Sequence, residues 1–243
     1  MPNPTAAILV IGDEILSGRT REGNAHYLAG ELSRIGIDLR EVRIVPDDHD
    51  GIVAAVRALS DRVDHVFTSG GIGPTHDDIT ADAVGAAFGA TVDVREDARA
   101  LLAAHYAARG VELNEARLRM ARIPEGATLI DNPVSVAPGF TIGNVNVMAG
   151  VPSVFQAMVA SVLPLMTGGR PLLSQTLRVM RPEGEVAGVL GALAAAHPGV
   201  TMGSYPFQSN GAFGTNLVVR GPEAAEVDAA MTALAGAFPE TAA

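Results

Sequence analysis

Residues 63–75, VDHVFTSGGIGPT, decide the fold of this chain. Residues 63–68, which include Val63, Val66 and Phe67, predict a strand, and this strand leads through Ser69 into a loop with three glycines. Residues 80–88 follow with the apolar spacing of a helix. A strand that turns through glycines into a helix is typical of β–α–β units with parallel strands. We therefore expect the glycine loop at the carboxyl end of a central strand, where α/β proteins bind their ligands.

The alternation of strand and helix continues on both sides of this loop. The predicted strands are residues 6–11, 39–45 and 63–68, with a hairpin of residues 139–142 and 145–148; the predicted helices are residues 24–35, 52–59, 80–88, 95–109, 114–122 and 152–163. Proline at the start of the last helix fits its first turn. The pattern predicts a three-layer α/β/α domain with a mostly parallel sheet over residues 1–168.

A second, smaller unit follows a linker candidate at residues 167–171, TGGRP. The predicted order is strand, helix, strand, strand, helix, at residues 172–179, 185–196, 200–206, 214–220 and 223–237. This order predicts a small α+β domain over residues 170–243.

Composition limits the classes of partner. The 243 residues carry 17 Lys and Arg against 27 Asp and Glu, a net charge of −10, which argues against nucleic acid as a partner. The chain has no cysteine, which excludes disulfides, thiolate catalysis and zinc–thiolate sites. The apolar run at residues 6–11 is too short for a signal peptide or a membrane span, so we expect a cytoplasmic protein without a membrane partner.

The glycine loop has the composition of an anion site. Glycines allow the backbone N–H groups to approach a ligand, and the N-terminus of the following helix adds partial positive charge. No Lys follows the glycines, so the loop is not a P-loop, and it is not a GxGxxG motif. Because carboxylates lie beside this anion site, we expect a divalent metal between them and a phosphate. The predicted ligand contacts are Ser69, Gly70, Gly71, Gly73, Pro74, Thr75, Asp77, Asp78 and Thr80.

A tight turn is the alternative interpretation of this loop, with Asp78 or Thr80 capping the helix that follows. The six histidines are scattered, and no pair lies at helical i, i+4 spacing, so a histidine metal site is not expected.

Three other loops should emerge at the same edge of the sheet. Asp13, Ser17 and Gly18 follow the first strand, and Asp47 follows the second. Each of these loops can also be read as a plain polar turn. Asn24 stands where a helix N-cap is expected. The third loop region offers a second helix N-terminus for an anion and contributes Pro138, Gly139, Gly150, Pro152 and Ser153.

Together these motifs resemble the molybdopterin-binding fold family, which includes the MogA and MoaB type of molybdenum-cofactor biosynthesis protein and the N-terminal domain of competence/damage-inducible protein A (CinA). The CinA-like branch fits best. The motifs that carry the resemblance are residues 12–18 with Asn24, residues 70–80, residues 137–139, residues 150–152 and, for the small domain, residues 204–207.

The resemblance implies roles for individual residues. Asp47 and Asp78 match the two acidic residues of the pterin and metal site, so they are the expected catalytic residues and the ligands of a divalent ion, Mg²⁺ or similar. Asp13 matches an aspartate of the ligand pocket. Tyr205, in the small domain, is expected near the main pocket or the pocket of a neighbouring subunit.

The sequence departs from the family at two positions. Ala149 stands where the family often has proline, and Val154 stands where it often has an acidic residue. CinA proteins also carry a further domain with deamidase activity, which this sequence lacks, so that activity is not expected.

Two functions follow from the resemblance. One is a metal-dependent pyrophosphatase that acts on dinucleotides of the ADP-ribose or FAD type. The alternative is a protein that binds molybdopterin in cofactor biosynthesis without a hydrolase step. In both cases the partner is a small molecule, and we expect a homo-oligomer, a dimer or a trimer, as in relatives.

Overall fold

The protein is described by a computed structural model, which covers residues 2–209 and 211–239. The chain divides into two compact units, residues 1–169 and residues 170–243. No helix of the described residues is long and apolar enough to cross a membrane.

The first unit alternates strands and helices as the sequence predicts. Its strands are β1 (Thr5–Ile11), β2 (Asp38–Val45), β3 (His65–Ser69), β4 (Val92–Val94), β5 (Arg122–Pro124), β6 (Thr128–Ile130), β7 (Gly139–Ile142) and β8 (Val145–Met148). Its helices are α1 (Asp13–Leu16), α2 (Asn24–Arg34), α3 (His49–Ser60), α4 (Thr80–Phe88), α5 (Glu96–Ala108), α6 (Glu115–Leu118) and α7 (Pro152–Val162), with 3₁₀ turns at Arg119–Ala121 and Leu163–Leu165.

Six of these strands form one sheet in the order β2-β1-β3-β8-β7-β6. Strands β2, β1, β3 and β8 run parallel, and β7 and β6 extend the sheet antiparallel. The α/β fold with a mostly parallel sheet is therefore confirmed. The carboxyl ends of β1, β3 and β8 lie at one edge, because these three strands are neighbours with a common direction.

Both faces of the sheet are covered, which makes three layers. Leu9 of β1 packs with Val56 of α3 and Val84 of α4 on one face. On the other face, Ile8 packs with Leu28 of α2 and Phe155 of α7. Successive β1 residues thus enter opposite cores, which explains why this strand is apolar without alternation.

The sequence prediction is wrong for residues 114–122. Instead of one helix, the chain makes the single turn α6, a 3₁₀ turn and then β5, which pairs antiparallel with β4. The pairing places Pro124 opposite Val92 and buries Ile123. Strands of three residues are too short to show a periodic pattern, so β4, β5 and β6 were not predicted.

The second unit has the predicted α+β content. Its elements are β9 (Leu173–Val179), α8 (Glu183–Ala196), β10 (Thr201–Ser209), β11 (Ala212–Gly221) and α9 (Ala224–Ala237). The strands form an antiparallel sheet in the order β10-β11-β9. Helices α8 and α9 cover one face, where Val186 and Val227 pack against Leu217 of the central strand.

Candidate functional site

The glycine loop lies at the carboxyl end of β3, as predicted. Gly70 N–H donates to the Met148 carbonyl of the neighbouring strand β8 at 3.1 Å. The loop is closed from the other side by Thr80, whose N–H donates to Gly71 O at 2.9 Å and whose hydroxyl donates to Gly70 O at 3.0 Å. The start of α4 is thereby joined to the end of β3.

Two glycines of this loop cannot be replaced without strain. Gly70 has φ 113°, and a β-carbon there would overlap the carbonyl oxygen of Ile11. Gly71 has φ 68°, and its β-carbon would overlap the Thr80 hydroxyl. Only glycine adopts such backbone angles at little cost, and only glycine leaves room for these neighbours.

A cavity of about 520 Å³ opens beside the loop, within the size range of small-molecule sites. Its wall combines the glycine loop, the loops after β1 and β8, the 3₁₀ turn before β5 and the segment before β7. The lining residues are Glu14, Thr20, Gly70, Gly71, Ile72, Gly73, Pro74, Asp78, Met120, Asn132, Ser135, Ala137, Ala149, Gly150, Val151, Pro152 and Val154.

The cavity wall is rich in unpaired backbone donors. Within the described residues, the N–H groups of Gly71, Ile72 and Gly73 donate to no protein acceptor. The same holds for Gly150 and Val151 at the start of α7, an eleven-residue helix with proline in its first turn. Free N–H groups at a glycine loop and a helix N-terminus are the usual protein partners of a phosphate.

Asn24 is a cross-link rather than a helix cap, which corrects the sequence interpretation. The N-cap position of α2 is Gly23. Asn24 is buried, and its Nδ2 donates to Ser69 Oγ and to Gly150 O, both at 2.8 Å. The first residue of α2 therefore holds the end of β3 to the segment that begins α7.

Asp78 and Arg119 fix the shape of the loop beyond the glycines. The Asp78 carboxylate accepts hydrogen bonds from the N–H and the hydroxyl of Thr75. Arg119 donates from Nε to Thr75 O at 3.0 Å and from Nη2 to Asp78 O at 3.1 Å. The position before α4 is occupied by Ile79, without a side-chain cap, so neither Asp78 nor Thr80 caps this helix.

The segment before β7, which contributes Asn132, Ser135 and Ala137 to the cavity wall, contains one strained residue. Val136 has φ 68°, in the left-handed region that β-branched residues rarely adopt. Buried Asn132 holds the turn around it, since its Oδ1 accepts from Val134 and Ser135 N–H while its Nδ2 donates to Ala137 O at 2.8 Å. The amide of Asn132 is therefore used in building the wall.

Two carboxylates lie in the cavity wall and a third lies near it. Glu14 and Asp78 line it, and among its described lining residues there is no lysine or arginine. Asp47 stands nearby on the loop after β2, where its Oδ2 accepts from Asp13 N–H at 2.9 Å. Burial is the main cause that raises the pKa of Asp47, and the charges of Asp13, Glu14 and Asp77 raise it further.

The predicted metal site is not assembled as a cluster. Within residues 2–209 and 211–239, no three His, Cys, Asp or Glu side chains converge on a point that could hold an ion. Glu14 and Asp78 still offer two carboxylates at the cavity, which is the number that Mg²⁺ often takes when substrate phosphates supply its other ligands. A metal held by Asp47 and Asp78 stays a prediction.

The structure brings some of the predicted site residues to the cavity and leaves others outside it. The predicted residues in the wall are Gly70, Gly71, Gly73, Pro74, Asp78, Gly150 and Pro152. Those outside the wall are Asp13, Ser17, Gly18, Asn24, Asp47, Ser69, Thr75, Asp77, Thr80, Pro138, Gly139, Ser153 and, in the second unit, Tyr205. Any contact of these residues with a ligand remains a prediction.

The cavity also contains residues that the sequence did not single out, among them Glu14, Thr20, Met120 and Ser135. Glu14 belongs to the motif of residues 12–18, and its side chain reaches the cavity because α1 makes one helical turn after β1. Met120 lies on the 3₁₀ turn Arg119–Ala121, within the stretch that the sequence predicts as a helix. The sequence alone does not indicate that Glu14 or Met120 lines the cavity.

A second cavity, of about 580 Å³, lies at the opposite end of the sheet, where β3 and β8 begin. Its amides already have protein partners: Asn144 Nδ2 donates to Ser60 O and Val63 O, and Asn146 Nδ2 donates to Val66 O. The carboxyl edge, with its free N–H groups, is therefore the better candidate site.

Comparison with known proteins identifies the family. Residues 7–168 match the family described as "Probable molybdopterin binding domain", and residues 171–243 match "FAD synthase, middle domain". The first match spans more than half of the chain. The chain therefore belongs to the probable molybdopterin-binding domain family, which confirms the resemblance seen in the sequence motifs.

Individual relatives are similar to this chain over most of its length. A protein of Pyrobaculum calidifontis is 37% identical over 212 residues, which cover 84% of this chain and 81% of the relative. A protein of Pyrobaculum aerophilum is 36% identical over 210 residues, which cover 83% of this chain and 79% of the relative. The crystal structure of the protein CinA from Thermoplasma acidophilum, described as of unknown function, is 35% identical with a TM-score of 0.60, and the match covers 65% of this chain and 95% of that one.

Proposed function

We propose that the first unit binds molybdopterin, or a closely related pterin with a phosphate group, in the cavity at the carboxyl edge of its sheet. The observation that carries this proposal is the meeting of two donor-rich segments at one cavity: residues 71–73 of the glycine loop and the start of α7. Membership of the probable molybdopterin-binding domain family supports the choice of a pterin.

The phosphate is assigned to the N–H groups of residues 71–73 and to the N-terminus of α7. The donors are fixed by the surrounding hydrogen bonds before any ligand arrives, so ordering them costs little on binding. The dipole of α7 adds partial positive charge at its first turn.

The rest of the cavity suits a flat ring system. Met120, Val151 and Val154 contribute apolar surface, and Ser135 offers a hydroxyl. Pockets for heterocyclic ligands typically combine mostly apolar walls with a few polar groups that fix orientation. The presence of Val154 in this wall, where the family often has an acidic residue, makes this part of the cavity less polar.

Calorimetric titration with molybdopterin tests the proposal. Gly73→Ala is the informative variant, because a β-carbon at Gly73 would lie 2.6 Å from the Asp78 carboxylate and would push it away from the Thr75 N–H that it accepts from. We expect it to weaken binding by about tenfold, the loss of one charge-assisted hydrogen bond. Gly30→Ala, in the open on α2, is the matched control and should bind as the parent does. The parent failing to bind molybdopterin, or Gly73→Ala binding equally well, would overturn the proposal.

The second candidate is hydrolysis of the pyrophosphate in dinucleotides such as ADP-ribose or FAD. Two observations favour it: the match of residues 171–243 to the middle domain of FAD synthase, and the carboxylates Glu14 and Asp78 in the cavity wall. Two carboxylates repel a diphosphate unless a cation lies between them. A divalent ion held by Asp47 and Asp78 would neutralise this charge and lower the pKa of a bound water.

Turnover of ADP-ribose and FAD with and without Mg²⁺ separates the two candidates. Release of AMP that requires Mg²⁺ supports the hydrolase. A protein that binds molybdopterin tightly and releases no AMP from either dinucleotide is a binding protein.

We also propose that the protein forms a homo-oligomer. Strand β2 is an edge strand of the six-stranded sheet, and its Val42 and Ile44 side chains are exposed. Exposed apolar side chains on an edge strand favour contact with another chain. Light scattering should give a multiple of the 25.0 kDa chain mass, and a particle of the single-chain mass at micromolar concentration would contradict the proposal.

A further inference from the structure

The sheet of the second unit has one face that its helices do not cover. Strand pairing places Arg178, Asn216 and Tyr205 in one row across β9, β11 and β10. The buried Leu217 and Val219 alternate with Asn216 and Val218, so this row lies on the face away from the α8–α9 core. Phe207, two residues after Tyr205 on β10, lies on the same face. We call the surface made by Arg178, Asn216, Tyr205 and Phe207 the outer row.

Two glycines make room for the aromatic rings of the outer row. A β-carbon on Gly203 would lie 3.3 Å from the Tyr205 ring, and one on Gly214 would overlap the Phe207 ring. Each ring therefore occupies the space above a glycine backbone. The Tyr205 side chain nevertheless remains half exposed, at 50%.

Arg178 is held in place by the second ring. Its guanidinium carbon lies 4.0 Å from the centre of the Phe207 ring. Among the described residues, Arg178 forms no ion pair, whereas Arg170 of the same unit is paired with Glu223. A guanidinium that is oriented by stacking and lacks a carboxylate partner is available to an anionic ligand.

The charge of this face also favours an anion. Among the described residues of β9, β10 and β11, the side chains on the same face as the outer row include those of Arg178 and Arg220 but none of Asp or Glu. This is notable because the whole chain carries a net charge of −10.

We propose that the outer row binds a nucleoside monophosphate, with the base stacked on Tyr205 and the phosphate on the Arg178 guanidinium. Base stacking on an exposed aromatic ring of an open sheet needs no particular base. The backbones of Arg178 and Tyr205 lie two strands apart, about 10 Å, which is the order of the distance from a nucleobase to its 5′-phosphate. Asn216 lies between them, where the sugar hydroxyls would fall.

This site lies within the second unit and does not depend on the cavity of the first. Titration of the isotope-labelled full chain with AMP, followed by amide NMR signals, reports on both places at once. We expect AMP to shift the signals of Gly203, Tyr205 and Asn216. Adenosine and ribose 5-phosphate, which each retain half of the ligand, should bind at least tenfold more weakly than AMP.

Variants test the two halves separately. Tyr205→Ala and Arg178→Ala should each raise the dissociation constant for AMP by about tenfold, whereas Tyr205→Phe keeps the ring and should bind as the parent does. Phe213→Ala removes an aromatic side chain that is 61% exposed on the same sheet, and Arg220→Ala removes the other arginine of this face. These two controls should bind AMP normally.

Three results would overturn the proposal. The first is an AMP titration that leaves the signals of Gly203, Tyr205 and Asn216 unchanged. The second is a response confined to residues 70–73, which would place AMP in the first unit. The third is equal binding of adenosine and AMP, which would remove the role of Arg178 in holding a phosphate.

Discussion

The backbones of Gly70 and Gly150 approach so closely that a β-carbon on Gly150 would lie 3.2 Å from Gly70 Cα. Gly70 follows β3 and Gly150 follows β8, two neighbouring parallel strands. Because the strands end side by side, the donors of the glycine loop and of the α7 N-terminus serve one cavity. The proposed anion site therefore depends on the strand order rather than on either loop alone.

Replacing Gly70 should test how strictly this arrangement requires glycine. In Gly70→Ala the new β-carbon would overlap the Ile11 carbonyl, and the residue would also have to keep a positive φ. In Gly18→Ala the residue would keep a positive φ of 73°, but its β-carbon would lie in open space. The strain at Gly18 alone costs about 1 kcal/mol, or about 2–4 °C in melting temperature. Gly70→Ala should lower the melting temperature at least twice as much. Equal losses in the two variants would show that the contact with Ile11 is not restrictive.

Asn24 should contribute to the stability of the fold, because its side-chain amide donates hydrogen bonds to both Ser69 and Gly150. Asn24→Asp keeps the shape but removes both donors, and leaving a buried carbonyl unpaired costs about 1–3 kcal/mol. Thermal or denaturant unfolding measures this loss. Asn114→Asp is the control, since Asn114 caps α6 with its side-chain oxygen and aspartate caps equally well. A loss no larger than that of the control would contradict the cross-link.

The raised pKa of Asp47 predicts a pH dependence with a defined sign. Burial raises this pKa in the folded state, so the folded protein holds the proton more readily than the unfolded chain does. The carboxyl therefore lowers stability as the pH rises through its raised pKa. Asp47→Asn can still accept the bond from Asp13 N–H, so it should melt at a higher temperature than the parent at pH 7, with a difference that disappears in acid.

Asp64 is a control, because its pKa is shifted in the opposite direction to that of Asp47. Hydrogen bonds from the Thr5 N–H and hydroxyl, both at 2.7 Å, lower the pKa of this carboxyl. Its stabilising contribution is present above its unfolded pKa and is lost as the pH falls through the folded pKa. Asp64→Asn should therefore melt at a lower temperature at pH 7 and converge with the parent in acid. Melting curves with the same sign for both variants would contradict the assignment.

The sequence was sufficient where a local pattern had one physical cause. Strand β1 is buried on both faces, and only a continuous apolar run satisfies that environment. The glycine loop was recognised because positive φ angles and close backbone contacts leave glycine as the only suitable residue at Gly70 and Gly71. The strand–loop–helix order then placed the loop at the correct edge.

The sequence was insufficient where two environments accept the same residue. Asparagine at the start of a helix fits both a cap and a buried cross-link, and only the neighbouring strands decide that Asn24 is the latter. The sequence predicts a helix over residues 114–122, but the chain leaves the helical path there and β5 pairs with β4. The place of Met120 in the cavity depends on that pairing, so no local pattern could reveal it.

Asp78 gives the prediction that best separates the two candidate functions. Asp78 lines the cavity, whereas the neighbouring Asp77 is exposed and outside its wall. Asp78→Asn can still accept the hydrogen bonds of Thr75, so the loop should keep its shape and the melting temperature should change little. If Asp78 holds a metal, Asp78→Asn should reduce Mg²⁺-dependent release of AMP from ADP-ribose by about a hundredfold or more.

The pterin-binding candidate predicts a change of opposite direction for the same variant. Without a metal, the Asp78 carboxylate repels a phosphate in the cavity, so its removal should tighten the binding of molybdopterin. Asp77→Asn is the matched control in both assays, and it should change each of them far less because its carboxylate is solvated. Measuring turnover, affinity and melting temperature for the two variants decides the matter. An Asp78→Asn protein that equals the parent in both turnover and affinity would remove Asp78 from the site altogether.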